Sequence, residues 1–141
     1  MNSNAFRYDA FISYSHHDVE WVQGWLLPRL EARGLKVCID FRDFQSGATS
    51  VTEMERAVLQ SRKTVLVLTA AYLAGEWTEF ESVLAQTLDP AAHRRRVQPL
   101  LVEKTPLPLR LAILTYIDFT RPDRADWQLE RLVSAIQAES D

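Results

Sequence analysis

The sequence predicts an open, doubly wound α/β sheet, and three observations carry that expectation. Short apolar runs alternate with segments of helical periodicity along the whole chain, as parallel strands joined by crossover helices require. Two of the runs, 8–14 and 63–69, are almost continuously apolar, as strands covered on both faces must be. The chain is 141 residues long, with 47% hydrophobic and 25% charged residues, which suits one globular domain that buries a sizeable core.

The first strand, 8–14, ends in Ser15-His16-His17-Asp18. Trp21, Val22, Trp25, Leu26 and Leu30 then recur at helical spacing, with Ser15 or Asp18 as cap, Gly34 as stop and Pro28 as an expected kink. Residues 35–40 read as strand two and 41–48 as a loop turning on Gly47. Ser50-Val51-Thr52-Glu53 is a capping-box pattern, opening a helix expected to turn Val51, Met54, Val58 and Leu59 inward. Strand three, 63–69, is rich enough in β-branched residues and leucine to be the most central.

Within 75–88, a helix advancing about 100° per residue aligns Phe80, Val83, Leu84 and Thr87, with Trp77 and Glu81 on the margin of that stripe and Glu79 almost opposite. Residues 97–102 suit strand four, although Pro99 argues against a central place. A proline-rich link at 105–110, a fifth strand within 112–119 and a last helix over about 124–137, burying Leu129, Leu132, Val133 and Ile136, complete the chain. A flavodoxin-like strand order of 2-1-3-4-5 would bring the end of strand one, Ser13 to His16, and the segment reaching Trp77 and Glu81 to one ligand crevice.

Composition excludes several functions. A net charge of −3 argues against a nucleic-acid partner, because phosphate contacts need clustered lysine and arginine. The basic run His93-Arg94-Arg95-Arg96 is read as a solvated loop in preference to an anion site. A single cysteine, Cys38, excludes an intrachain disulfide, and three histidines leave no metal site at recognisable spacing. Cys38 falls in an apolar strand and is expected to be a buried, inert thiol. No run approaches the roughly 20 apolar residues that span a bilayer, and Met1-Asn2-Ser3-Asn4 lacks a signal-peptide pattern, so the expectation is a soluble cytoplasmic chain without a membrane partner.

Glu81 has two readings. Thr78-Glu79-Phe80-Glu81 is itself a capping-box pattern, and spacing alone favours a carboxylate reaching back to the Thr78 N–H. Alternatively, a carboxylate on the rim of an apolar face loses hydration and suits chemistry on a bound ligand. Taken singly, Trp77 reads as a core or edge aromatic, His16 and His17 as exposed loop residues, and Arg42 and Asp43 as a pair meeting each other or solvent.

Three stretches carry a resemblance. Tyr8-Asp9-Ala10-Phe11-Ile12-Ser13-Tyr14-Ser15 resembles the first signature of Toll/interleukin-receptor (TIR) domains, and Arg42-Asp43-Phe44-Gln45-Ser46-Gly47 resembles their second. The stretch from Gly75 to Glu81, with Trp77 four residues ahead of Glu81, resembles the TIR domains that cleave NAD. Ser46 stands where the family loop commonly has proline, and Tyr116-Ile117-Asp118-Phe119 stands where animal receptors carry a Phe-Trp pair, so the chain looks more like a bacterial TIR domain than an animal adaptor.

The resemblance implies a single TIR domain over 1–141, with its core at about 6–138; an end at Asp141 just after a helix is consistent with excision from a longer sensor-effector protein. It implies NAD+ as substrate, with no further cofactor, cleaved between nicotinamide and ribose with Glu81 as the catalytic glutamate. Trp77, Ser13, Ser15, His16, Arg42, Asp43 and Phe44 would be substrate-binding residues, and activation would come through self-association with other TIR domains in defence signalling. The chemistry is reasonable physically: loss of cationic nicotinamide leaves an oxocarbenium-like ribose that a nearby carboxylate stabilises, and the leaving group needs no general acid. The alternative of another class is a non-catalytic TIR scaffold that works through homotypic binding. A phospho-accepting receiver domain is a weaker third reading, because strand one ends in serines where an acidic pair would stand.

Overall fold

The computed structural model describes residues 6–48, 50–88 and 96–138. Within them the strands β1 (Tyr8–Ser13), β2 (Val37–Cys38), β3 (Ser61–Leu68), β4 (Val97–Leu101) and β5 (Ile117–Asp118) form one parallel sheet in the order β2-β1-β3-β4-β5. This is the order expected for a flavodoxin-like sheet. Ala10 pairs with Val37 on one side and Lys63 on the other, and Leu100 pairs with Val67 and Ile117.

Because side chains alternate along a strand, each continuous apolar run supplies two cores. Ala10, Ile12, Val65, Val67 and Leu100 face one side of the sheet. There they meet Val22, Leu26, Leu27 and Leu30 from the first helical segment and Leu129, Leu132, Val133 and Ile136 from α8 (Ala125–Gln137). Phe11, Leu66, Leu68 and Leu101 face the other side. They pack on α4 (Ser50–Gln60), α5 (Ala70–Ala74) and α6 (Glu76–Thr87).

The first helical segment is built of a 3-10 turn (His16–Asp18), α1 (Val19–Trp21), a π-helical turn (Val22–Leu26) and α2 (Leu27–Ala32). The expected irregularity at Pro28 thus lies one turn earlier. A proline at 28 cannot donate to the Gly24 carbonyl and crowds it, and the chain responds by widening the preceding turn, with the Leu27 N–H reaching Val22 O. Gly34, at φ +84°, ends the segment as expected.

Several boundaries differ from expectation. The second and fifth strands shrink to two residues each, and short helical turns α3 (Asp40–Asp43) and α7 (Leu109–Ala112) occupy what was read as loop and link. Pro99 does sit in an interior strand; β5 begins to pair only at Leu100, just past the missing N–H. In α4 Val58 is buried and Met54 packs against the core as expected, whereas Val51 and Leu59 are exposed and Glu53 and Ala57 are buried in their place. Among the described residues no helix is long and apolar enough to cross a membrane. Of the basic run, positions 93–95 lie outside the described residues. Arg96 is a clamp, not part of a solvated loop: its Nη2 donates to Val58 O at 2.7 Å and Ser61 O at 2.6 Å, and its guanidinium lies over the Phe6 ring.

Candidate functional site

The carboxyl ends of β1 and β3 are joined by a buried polar relay. Ser13 Oγ and Tyr72 Oη share a hydrogen bond of 2.8 Å. Tyr72 is fully buried, and burial pushes its phenol well above the ordinary value, with the Ser13 bond acting in the opposite direction. Thr69 caps α5 by accepting from the Tyr72 N–H at 3.1 Å, and its hydroxyl donates to Asp18 Oδ2 at 2.7 Å. The cap follows from sequence: a strand ending at Leu68 hands over to a threonine, whose oxygen satisfies a donor left open by the new helix. The Tyr72 ring leans on Trp77, 6.2 Å between centroids, and Trp77 is only 5% exposed.

The residues after β1 are equally engaged. Ser15 is fully buried and its Oγ accepts from the His17 N–H at 3.2 Å. The Tyr14 hydroxyl donates to Asp40 Oδ1 at 2.9 Å and accepts from Gln23 Nε2 at 2.8 Å. Burial is the main reason its pKa is pushed up to about 12. His16 is exposed, with its ring stacked on Tyr14 and its Nε2 3.9 Å from Asp40 Oδ2.

Beyond β2, Arg42 donates from Nη2 to Val37 O at 2.7 Å and from Nη1 to Glu31 Oε2 at 2.9 Å, and lies 3.4 Å from Asp43 Oδ2. Asp43 accepts from the Ile39 N–H at 2.9 Å. Phe44 stacks on Phe11, whose edge meets Phe80 of α6. The following loop is held by Glu53, a 3%-exposed carboxylate that accepts from the Gln45 N–H at 2.8 Å and pairs with Arg56 at 2.7 Å. A cavity of about 120 Å³ lies at the foot of this loop, lined by Cys38, Asp43, Phe44 and Glu53 among others. Burial, followed by the charge of Asp43, pushes the Cys38 thiol up to about 12, as expected of an inert cysteine.

Glu81 is not a cap. Helix α6 begins at Glu76 with Gly75 as its N-cap residue, so Thr78 is already inside the helix and its N–H goes to Gly75 O at 3.3 Å. The Glu81 carboxylate, 35% exposed, pairs instead with Arg110 of α7, Oε2 to Nη1 3.1 Å, and the Arg110 side chain is 77% exposed. Among the described residues no hydrogen bond or ion pair joins Glu81 to Ser13, Ser15, His16, Arg42 or Asp43. An open cleft of about 530 Å³ does lie where the segments following β1 and β3 meet, lined by His17, Ala71, Ala74, Gly75, Glu76 and Glu79. Its acids sit on the side of α6 away from Glu81.

Ser13 and Trp77 are therefore brought together through Tyr72, and Phe44 reaches α6 through Phe11, while Glu81 stands apart with Arg110. Tyr72 and Arg110 escaped the sequence reading, which took Asp18 and Glu53 only as capping residues and Thr69 only as the end of a strand. Thr69 and Tyr72 follow a strand with cap spacing and were within reach; Glu53 and Arg110 depend on partners across loops that no local pattern encodes.

Comparison with known proteins agrees with the fold. A sequence profile of the TIR domain matches residues 10–133. Human Toll-like receptor 1 is 37% identical over 79 residues, covering 56% of this chain and 10% of the receptor, and bovine Toll-like receptor 6 is 34% identical over a stretch of the same length. The chain thus spans about a tenth of the length of these receptors. The TIR domain of the Toll-related receptor TRR-2 from Hydra magnipapillata superposes with a TM-score of 0.81 at 23% identity, over 93% of this chain and 99% of that one. A metazoan TIR-STING receptor from C. gigas, solved in complex with 2′,3′-cGAMP, superposes with a TM-score of 0.76 at 27% identity, over 95% of this chain and 40% of that one. With the profile covering most of its length and the five-stranded order matching, this chain belongs to the TIR domain family.

Proposed function

We propose that this TIR domain cleaves NAD+ at the bond between nicotinamide and ribose, with Glu81 as the catalytic carboxylate, and that it does so only when copies assemble. The observation that carries this reading is the state of Glu81: free of the capping role, on the margin of α6, and met by one exposed guanidinium. A carboxylate so placed can approach a ribose and stabilise the positive charge that develops as neutral nicotinamide departs. Water then adds to the ribose carbon and releases its proton, giving ADP-ribose; addition of a base nitrogen within the same molecule would give a cyclic product. The requirement for assembly rests on the resemblance, which implies activation by self-association; Ser13, Trp77 and Phe44 are engaged in internal contacts, and a second copy would wall the site around Glu81. That the domain is of the bacterial defence type, acts in a filament and receives its signal from a linked sensor in the cytoplasm is part of this reading and rests on the resemblance.

The test is nicotinamide release from NAD+ by protein clustered on a surface or scaffold, wild type against Glu81→Gln, which removes the charge with little change of shape. Removal of an electrostatic stabiliser of this kind costs about 100- to 1,000-fold in turnover. Equal rates in two folded proteins would refute the assignment. The second reading, a scaffold working through homotypic contacts alone, is favoured by the burial of Trp77, which leaves little of that ring to stack on a substrate; it predicts no nicotinamide from clustered protein of either kind.

A further inference from the structure

We infer that Arg110 is a latch on Glu81, holding its carboxylate neutralised; this rests on the proposed role of Glu81 in NAD+ cleavage. Arg110 Nη1 lies 3.1 Å from Glu81 Oε2, and the pair joins α6 to a four-residue helical turn, α7, across 29 positions of sequence. That turn is lightly held, although Leu107 and Leu114 on either side of it pack against the core. It follows a stretch, 102–108, without regular structure and containing Pro106 and Pro108. Its neighbours on either side of the latch, Leu109 and Ile113, are 79% and 74% exposed, so of the turn only Leu111 is fully buried as an anchor.

The guanidinium lies against the carboxylate whose negative charge an electron-poor ribose would need. A positive charge already paired there opposes a second one developing on the substrate, because the two compete for the same anion. The pair is also weak enough to open. With Arg110 77% exposed, it is worth the small amount typical of surface ion pairs and is screened further by salt. Arg110 therefore acts through Glu81 as a positioning residue and touches no reacting atom.

The experiment compares wild type, Arg110→Gln and Arg110→Lys, each clustered at equal density, by nicotinamide release at low and at high salt. The latch predicts that Arg110→Gln raises kcat/KM about 1.5- to 5-fold at low salt, that the ratio to wild type falls towards one at high salt, and that Arg110→Lys returns to the wild-type rate. A second readout is independent of turnover: coupling of glycinamide to Glu81 by a water-soluble carbodiimide, read by mass spectrometry, should be faster by a similar factor in Arg110→Gln. A slower Arg110→Gln enzyme would overturn the latch and make Arg110 a substrate contact. Nicotinamide release that is unchanged by Arg110→Gln overturns the latch alone, whereas no release from wild type or variant overturns the NAD+-cleaving reading and the latch with it. A labelling rate that is the same in wild type and Arg110→Gln shows that the pair does not shield the carboxylate and overturns the latch on its own.

Discussion

The hydrogen bond between Ser13 and Tyr72 separates a structural from a functional role for the end of β1. Ser13→Ala leaves the Tyr72 hydroxyl, fully buried, without its partner at 2.8 Å, and an orphaned buried polar group costs about 1–3 kcal/mol. Tyr72→Phe keeps the ring against Trp77 and strands only the Ser13 hydroxyl, which at 8% exposure is nearly as dry, so its cost falls in the lower half of that range, about 1–2 kcal/mol. Removing both hydroxyls leaves no orphan, and the double variant should recover at least about 1 kcal/mol relative to the sum of the singles. At this chain length each kcal/mol corresponds to roughly 3 °C in Tm. Urea unfolding followed by the fluorescence of the four tryptophans measures all three variants. Additivity within about 0.5 kcal/mol would refute the reasoning, and Ser13 would then have to be explained by what it offers a ligand.

Trp77→Ala should lower the free energy of unfolding by about 3–5 kcal/mol, because it empties a site packed among Tyr72 and the apolar face of α6; a loss below about 1 kcal/mol with a raised KM for NAD+ would instead show that the ring serves the ligand. Stability should also fall on the alkaline side. The folded-state value of Cys38 is raised from 9.0 to about 12, so its contribution is fully present below pH 9 and is lost as pH rises towards 12. By pH 10 the Cys38 share of the loss is about 1 kcal/mol and should be missing from Cys38→Ala, which keeps the further loss from the raised tyrosines Tyr8, Tyr14 and Tyr72, as chemical unfolding at pH 8, 9 and 10 would show.

The sheet was legible because its evidence is local and redundant. In β3 the run of valine and leucine needs cover on both faces, and each crossover helix announces itself by a stripe such as Phe80, Val83 and Leu84. The edge strands were harder for a related reason. Residues 35–40 and 112–119 are apolar enough to be strands, but β2 and β5 each have a single neighbour: β2 pairs with Ala10 and Phe11 and gives way to α3 at Asp40 although β1 continues to Ser13, and β5 pairs only with Leu100 and Leu101. Of the excess apolar residues, Leu35, Ile39 and Phe119 are buried without a place in a strand, whereas Ile113 and Tyr116 are exposed.

The same distinction explains the site. A hydrophobic stripe correctly placed Glu81 on a margin, yet a margin is shared by every capping, pairing and catalytic carboxylate, and what separates them is the partner. The capping box failed because the helix began two residues earlier than Thr78, at Glu76 after Gly75, a boundary that depends on how α5 ends. The true partner, Arg110, reaches Glu81 only after β4 has crossed the sheet and a proline-rich stretch has turned the chain back. Charge pairing at that distance has no period in the sequence. A family resemblance supplies a candidate carboxylate and a substrate, but the group that controls the carboxylate's availability comes from packing particular to this chain, and variation at position 110 should therefore tune activity among otherwise similar domains.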